Sequence, residues 1–431
     1  MTPTLMAFTA LFALLLLGVP VAFSMLLAGA LGVGLTVGLE PLAGFLRFGP
    51  YETVASYTLS SVPLFILMAE YLSAGRFTSD LFGLAYRFLG HRRGGVAYAT
   101  VGGGALLAAI SGSSTAAAST LSSVAFSEMR RLGYDPKFAS GLLAVVGTLA
   151  IMIPPSLGLI LYGVFTETSV GRLLLAGFVP GALTALGYVV TIYWIVRKYP
   201  QLAPNSVPPF SWGERRAALR KAWPVLLLLT LMVTALYSGA VTPTEVAAVG
   251  ALMALVVGIS LGRIRWHGFW QASVKAVGAS AMVLTIVGFS SALGVFMALS
   301  GTTRAILDAV IQAQLSPSLV VAVVLVILLV LGFFLDQLAI LILTLPMVFP
   351  LLTGLGYDPV WLGIIFVKTA EIGLITPPMG MNAFVVAGTT RTPIKDVFSG
   401  IWPFVLTELV ILAALVMFPV LSLGLPNWVS G

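Results

Sequence analysis

The stretch EIGLITPPMGMN, residues 371–382, lies inside an apolar run from Trp361 to Ala387. Proline removes a backbone donor and disfavours helix in the residue before it, so Pro377 and Pro378 predict a break in a helix. A second such break is predicted at IMIPPSLG, residues 151–158. Broken backbone at membrane depth is tolerated only where it is buried in protein or lines a cavity, so both breaks indicate an internal site.

The composition is that of a polytopic, all-α membrane protein. Of the 431 residues, 59% are hydrophobic and 9% are charged, whereas soluble domains carry about 25% charged residues. The first apolar run follows no basic region and is predicted to be a retained span rather than a signal peptide. Apolar runs of membrane-spanning length predict nine spans, at residues 5–38, 51–74, 138–168, 172–197, 222–240, 245–262, 270–299, 361–387 and 398–424.

Two further apolar stretches, residues 94–127 and 318–353, are predicted to be re-entrant helical hairpins. The first has 34 residues, too few for two full helical crossings at 1.5 Å per residue. Basic residues flank it on both sides, which places both of its ends on the same side of the membrane. The hairpin tips are predicted at ISGSSTAAAST, residues 110–120, and at GFFLD, residues 332–336.

One orientation places every basic cluster on one side of the membrane. With a cytoplasmic N-terminus and a periplasmic C-terminus, the only basic residues in the outer loops are Arg47 and Arg304. This is the distribution that the positive-inside rule predicts. The net charge of +7 is therefore explained by cytoplasmic loops and not by nucleic-acid binding. The cytoplasmic segments are 76–93, 128–137, 197–221, 263–269 and 389–397, and the outer loops are 40–50, 241–245, 300–317 and 354–359.

An internal repeat relates the two breaks. The tetrapeptide GYDP occurs at 133–136 and at 356–359, and the same offset of 223 places Pro154-Pro155 on Pro377-Pro378. The order of a span, an amphipathic stretch, a hairpin, a broken span and a closing span recurs with the opposite orientation. Inverted repeats of this kind are typical of secondary transporters; the alternative is a chance recurrence of GYDP as a turn.

The repeat divides the chain into four predicted parts. Residues 1–50 form an N-terminal scaffold span, and residues 198–262 form a linker with connecting spans. Repeat 1 is predicted at residues 51–197, with its broken helix at 138–168, and repeat 2 at residues 263–431, with its broken helix at 361–387.

The breaks and tips together favour binding of a cation and an anion. Freed carbonyls beside hydroxyl groups suit a hard cation such as Na⁺, and a helix that restarts after a break points its positive N-terminus at an anion. The alternative for each break is an ordinary proline kink, and small hydroxyl residues also help membrane helices to pack. Asp336 lies within an apolar stretch, which predicts a cation or proton role, with a structural cap or polar pair as the alternative.

Other polar residues leave fewer options. Lys368 and Glu371 lie three residues apart on one helix face. Glu371 is a partner of Lys368 in an ion pair, a proton carrier or a ligand, and these alternatives stay open. Glu70 is interpreted as a packed polar residue. The chain has no cysteine and no phosphate-binding loop motif, and its histidines, His91 and His267, lie in basic loops. Enzymatic activity is therefore not expected.

At this point the sequence resembles the large membrane subunit of a tripartite ATP-independent periplasmic (TRAP) transporter of the DctM type. The resemblance extends from about residue 60 to residue 390. The segments that carry it are SVPLFILMAEYLSAG (61–75), AISGSSTAAAST (109–120), GYDPKFASGLLAVVGTLAIMIPPSLGLILYG (133–163), GFFLDQLAILILTLPMVFP (332–350) and KTAEIGLITPPMGMNAFVVAG (368–388). The sequence KTAEIG is one local difference from the family, in which an Asn-rich segment is expected before Glu371. The resemblance therefore assigns no role to Lys368.

The resemblance implies Na⁺-coupled import of a carboxylate across the bacterial inner membrane. It implies a periplasmic binding protein that delivers the substrate, a small four-helix membrane subunit, and an elevator-type fold in which hairpins and broken helices form the mobile domain. The substrate is implied near Ser113, Thr115 and Asn382. The first implied sodium site comprises Ser111, Gly112, Ser113, Ser114, Gly147, Ile153, Pro154 and Pro155, and the second comprises Gly332, Asp336, Thr376, Pro377, Pro378, Met379 and Gly380.

The alternatives are a Na⁺- or H⁺-coupled organic-anion transporter of related architecture that needs no binding protein, a channel, and a membrane scaffold. A channel needs no coupling to a gradient, so uptake driven by imposed Na⁺ excludes it. Broken and charged elements at mid-depth in both repeats argue against a scaffold.

Overall fold

The apolar runs fold into α-helices, which pair most of their backbone groups within the same segment. The computed structural model describes residues 2–204, 207–238 and 241–430, and those residues contain no strand. The first ten helices are α1 (Pro3–Leu16), α2 (Val21–Val37), α3 (Leu39–Val54), α4 (Ser61–Ala74), α5 (Phe77–Leu89), α6 (Gly95–Ser111), α7 (Ser114–Arg131), α8 (Pro136–Met152), α9 (Leu157–Thr166) and α10 (Val170–Lys198). They are followed by α11 (Trp212–Tyr237), α12 (Pro243–Ser260), α13 (Trp266–Ser300), α14 (Thr302–Gln312), α15 (Pro317–Gly332), α16 (Gln337–Gly354), α17 (Pro359–Gly373), α18 (Met381–Thr390), α19 (Ile394–Met417) and α20 (Val420–Ser430).

The repeated GYDP sequence forms the same local structure in both halves. Gly133 and Gly356 adopt positive φ angles of 79° and 91°, which end the preceding helix at low cost because glycine has no Cβ. Asp135 then accepts hydrogen bonds from the amides of residues 137 and 138, and Asp358 from those of residues 360 and 361. Each Asp is thus an N-cap followed by proline in the first helical turn, so GYDP is a duplicated helix start.

Both predicted hairpins are pairs of helices joined by short tips. In the first, α6 and α7 flank residues 112–113, and in the second, α15 and α16 flank residues 333–336. Both predicted broken spans are also confirmed. Helices α8 and α9 are separated by residues 153–156, and α17 and α18 by residues 374–380. Each break contains one cis peptide bond, between Pro154 and Pro155 and between Pro377 and Pro378.

The N-terminal prediction is wrong in two respects. The span predicted at 5–38 is two helices, α1 and α2, because Gly18 adopts a φ of 79° and Pro20 cannot continue a helix. The loop predicted at 40–50 is instead helix α3. Residues 58–74 continue from α3 after a bend of 55°, so the span predicted at 51–74 is helical with a break before Ser61.

The C-terminal span also ends earlier than predicted. Helix α19 ends at Met417 and α20 begins at Val420, so the prediction of one span at 398–424 is wrong. Proline at position 419 removes a backbone donor at this point. Within the described residues, seven helices are long and apolar enough to cross a membrane, or eight if the bent pair that contains α3 is one span. The prediction of nine spans exceeds this number; residues 239–240 of one predicted span lie outside the described residues.

The first segments of the broken helices form the centre of the molecule. Every residue from Phe138 to Met152 of α8 is buried, as is every residue from Val360 to Gly373 of α17. Helix α19 approaches α8 through glycine, since a Cβ on Gly400 would lie only 1.9 Å from the carbonyl oxygen of Lys137. Small residues permit such close approach of membrane helices.

The helix that follows each break packs on the hairpin of the other half. Helix α18, the second part of the broken helix in the second half, packs on α7 of the first hairpin. Helix α9, its counterpart in the first half, packs on α16 of the second hairpin. Each hairpin therefore contacts segments from both halves of the chain, which brings both tips and both breaks together.

Candidate functional site

A cavity of about 300 Å³ lies between the two hairpin tips. Its walls include residues 111–116 of the first tip and residues 336–338 of the second tip. Residues of α4 and α13 form the opposite wall, with Glu70 on α4. The cavity is therefore lined by both predicted tips and touches the edges of the breaks at Leu157 and Leu374. It adds Glu70, which the sequence alone indicates only as a packed polar residue.

The first tip lies against the first break, as predicted. A Cβ on Gly112 would lie 3.2 Å from the carbonyl oxygen of Pro155, and one on Gly147 would lie 2.9 Å from the carbonyl oxygen of Ser114. Ser111 donates to the carbonyl of Ser113 at 3.1 Å. The structure thus gathers carbonyl and hydroxyl oxygens of the first implied sodium site. Ile153 and Pro154 belong to the same break, between α8 and α9.

The second tip contacts α17 through glycine. A Cβ on Gly332 would lie 2.8 Å from the Cα of Gly373. Asp336 lines the cavity and is the N-cap of α16, accepting from the amide of Ala339 at 2.6 Å. Its capping role, one of the alternatives for this residue, is therefore present.

The second break supplies the remaining residues of the second implied sodium site. The Thr376 hydroxyl donates to the carbonyl of Ile372 at 2.6 Å, and Met379 is exposed. Among the described residues no side-chain hydrogen bond links Asp336 to this break. The break residues in this set are Thr376, Pro377, Pro378, Met379 and Gly380.

Helix α7 begins at the cavity with unpaired backbone amides. In the described part of the chain, its N-cap, Ser113, makes no capping hydrogen bond, and the Ser113 hydroxyl lies 3.3 Å from that of Thr115. Within the described residues, the amides of positions 114–116 have no acceptor. By contrast, Ser156 caps α9 and Asp336 caps α16. The N-terminus of α7 is therefore free to bind an anion.

Asn382 fixes the start of α18 to the start of α7. Its Nδ2 donates to Ser114 Oγ at 2.5 Å and to the carbonyl of Ala144 at 3.2 Å, and the side chain is fully buried. Asn382 therefore supports the tip from behind and does not line the cavity with Ser113 and Thr115. Its implied contact with substrate stays a prediction.

The charges of the cavity are negative. Glu70 and Asp336 are its ionisable lining residues, and no Lys, Arg or His lines it among the described residues. Within the described part of the chain, an anionic ligand in this cavity would therefore contact no cationic side chain. It can be stabilised by the α7 N-terminus and by bound cations, whose entry the two carboxylates favour.

A fully buried charge cluster lies beside the second break. Lys368 Nζ lies 3.3 Å from Glu371 Oε2 and forms a second ion pair with Glu408 of α19. It also donates to Thr184 of α10 at 2.8 Å. Tyr188 of α10 donates to Glu408 and contacts the hydroxyl of Thr148 in α8 at 3.0 Å. The ion pair of Lys368 with Glu371 was one sequence alternative; its proton role stays a prediction.

The cluster connects four helices of both halves, and sequence reasoning missed most of it. Glu408 is the acid within the apolar part of α19, since Asp396 lies in the first turn of that helix, and an acid at this depth is itself a functional signal in a membrane segment. Its pairing with Lys368 depends on the packing of α17, α10 and α19. With two carboxylates and one ammonium, the fully ionised cluster would have one excess negative charge. Glu371 Oε1 is buried, and no described residue forms a hydrogen bond with it.

Comparison with known proteins identifies the family. The model of the tripartite ATP-independent periplasmic transporter family, DctM component, matches residues 8–421. The chain belongs to this TRAP transporter family. It resembles the C4-dicarboxylate TRAP transporter large permease protein DctM of Pseudomonas aeruginosa, with 37% identity over 92% of this chain and 94% of the relative. It is also 30% identical to the sialic acid TRAP transporter large permease protein SiaM of Vibrio cholerae, over 97% of each chain.

A solved structure supports the fold of this TRAP family member. The YdaH transporter of Alcanivorax borkumensis, described as having an unusual topology, matches with a TM-score of 0.69, 15% identity and coverage of 99% of both chains. At this identity the likeness concerns the fold alone. Together these findings confirm the TRAP resemblance and the membrane-transporter fold class. They also confirm the prediction of a transporter rather than an enzyme, since the family and the relatives are transporters.

Proposed function

We propose that the chain imports a carboxylate solute across the bacterial inner membrane together with Na⁺. The observation that carries the proposal is the uncapped N-terminus of α7, which opens into the cavity shared by both tips. Backbone amides at a helix N-terminus bind carboxylates without a basic side chain. Relatives named for C4-dicarboxylates and sialic acid transport acids, which supports a carboxylate substrate.

The charge of the cavity supports the proposed cotransport of Na⁺. A carboxylate that enters beside Glu70 and Asp336 meets like charges, and such repulsion is strong where water is excluded. Hard cations bound by hydroxyl and carbonyl oxygens remove this repulsion. The oxygens of residues 111–114, with the carbonyl of Pro155, are the proposed first sodium site, and Asp336 with the second break is the proposed second site.

An elevator mechanism is proposed from the arrangement around the cavity. The hairpin tips and the helix ends beside the breaks form one wall, whereas α4 and α13 form the other. Movement of the hairpin side as a rigid body past α4 and α13 would carry the bound solute across the membrane. A periplasmic binding protein is proposed to deliver the solute, and a small four-helix membrane subunit to brace the scaffold side of the chain.

The test is uptake into proteoliposomes that contain this chain and the small membrane subunit. We expect accumulation against a concentration gradient when Na⁺ is imposed outside and the binding protein is added with its solute. Replacing the Na⁺ gradient with a K⁺ gradient should abolish accumulation. Uptake that is unchanged without Na⁺ would overturn the coupling, and uptake that is unchanged without the binding protein would favour the self-sufficient organic-anion transporter.

A further inference from the structure

A second large cavity lies between α6 and α10, away from the tips. It measures about 790 Å³ and opens at the end of the helices that carries Arg92, Arg93 and Arg197. The rest of its lining is apolar or aromatic, with Tyr98 and Tyr193 near the arginines. A long apolar groove that ends in a basic group matches the chemistry of a phospholipid.

The arginines are brought together by the packing of the two helices. A Cβ on Gly94 would lie 2.9 Å from the side chain of Val196. Arg93 and Arg197 are therefore each one residue from a point of direct contact between the segments. All three arginines are exposed at this end of the groove.

Three guanidinium groups at one opening repel one another unless an anion lies between them. Among the ion pairs of the described residues, none involves Arg92, Arg93 or Arg197. Arg197 donates to the Tyr193 hydroxyl at 2.7 Å, and its guanidinium carbon lies 6.0 Å from that ring. Tyr193 therefore holds Arg197 at the opening without neutralising its charge.

We propose that this groove binds an anionic phospholipid, with its phosphate between the three arginines and one acyl chain along α6 and α10. The charge distribution assigns the basic end to the cytoplasmic surface, where anionic headgroups attract arginine. Leu186 and Val190 of α10 are 60% and 53% exposed and line the apolar part of the groove. The acyl chain covers these side chains.

The test is native mass spectrometry of the delipidated full chain titrated with phosphatidylglycerol and, separately, with phosphatidylcholine. We expect phosphatidylglycerol to bind at least tenfold more tightly. The triple variant R92Q/R93Q/R197Q should lose most of this preference, because each arginine near the surface contributes about fivefold. The matched control R216Q/R220Q/K221Q removes three exposed charges of α11 and should retain the preference within about twofold.

A second variant separates a lipid from a free phosphate. Ala185→Phe fills the apolar part of the groove and leaves the arginines intact, so it should weaken phosphatidylglycerol binding while leaving any binding of inorganic phosphate unchanged. Equal binding of both lipids to the unmodified chain would overturn the proposal. So would full phosphatidylglycerol binding by the triple variant, or competition by inorganic phosphate together with no effect of Ala185→Phe.

Discussion

The side-chain amide of Asn382 donates a hydrogen bond to Ser114 Oγ at 2.5 Å, across 268 residues of sequence. Ser114 is the first residue of α7 and Asn382 the second residue of α18. The bond therefore joins the open N-terminus of the first hairpin to the break of the other half. At the repeat offset the counterpart of Ser114 is Gln337, which packs against Gly158 at the start of α9, so both junctions join a hairpin to the opposite half.

We expect Asn382→Ala to lower both stability and uptake. Among the described residues, the substitution removes the donor that pairs with the buried Ser114 hydroxyl, and a buried unsatisfied polar group costs about 1–3 kcal/mol. It also removes a second bond to the carbonyl of Ala144. Uptake assays and thermal unfolding of the purified chain measure the two effects. Thr389→Ala, at an exposed position of the same helix, is the control. A variant as stable and as active as the unmodified chain would show that the bond has no supporting role.

Ser113→Ala and Ser156→Ala should have different effects: the first should impair uptake, and the second should lower stability. Ser156 caps α9 through the amide of Leu159 at 3.2 Å, so its loss should cost about 1 kcal/mol of stability. Ser113 makes no capping bond but lines the cavity, so its loss should leave the unfolding temperature nearly unchanged and raise the apparent KM for Na⁺ or solute. Equal loss of stability in both variants would contradict the assignment of an open α7 N-terminus.

Two substitutions of Asp336 separate its capping role from a cation role. Asparagine caps a helix about as well as aspartate, so Asp336→Asn should retain the cap and remove only the charge. We expect Asp336→Asn to keep normal stability but to require higher Na⁺ for half-maximal uptake. Asp336→Ala should also lose about 1 kcal/mol of stability. Unchanged Na⁺ dependence in Asp336→Asn would leave the carboxylate with a structural role only.

Lys368→Met should be strongly destabilising. It leaves Glu371 and Glu408 buried without their shared cation, and breaking one partner of a buried ion pair costs about 3–5 kcal/mol. The triple variant K368M/E371Q/E408Q removes every charge and should recover much of that loss. Thermal unfolding measures both, with Lys395→Met, at an exposed position, as the control. A Lys368→Met chain as stable as the control would show that the cluster is not held by its charges.

Gly400→Ala should destabilise the contact between α19 and α8. Its Cβ would lie 1.9 Å from the Lys137 carbonyl, so the helices must separate, and overpacking a core costs about 1–3 kcal/mol. Gly388→Ala is the matched control, because its Cβ would meet no atom of the described residues within 4 Å and alanine favours helix by about 1 kcal/mol. Equal unfolding temperatures for the two variants would argue against the close approach of α8 and α19.

Local sequence determined the helices, hairpins and breaks. Hydrophobic runs specify membrane helices because lipid leaves the backbone no other partner. Pro154, Pro155, Pro377 and Pro378 specify the breaks because proline lacks a donor. Two spans differ from the prediction for local reasons as well: the sequence GVP at residues 18–20 separates α1 from α2, and the proline at position 419 separates α19 from α20.

Tertiary packing decided which of these pieces meet. The pairing of Lys368 with Glu408, and of Asn382 with Ser114, joins residues far apart in sequence. Hydrophobic periodicity predicts each helix separately and does not specify which helices pack against it. Sequence alone determined that two polar breaks and two hairpins exist within the membrane. Only the packing of α7, α8, α17 and α18 placed them around one cavity, because buried polar groups must find partners on whichever helix lies beside them.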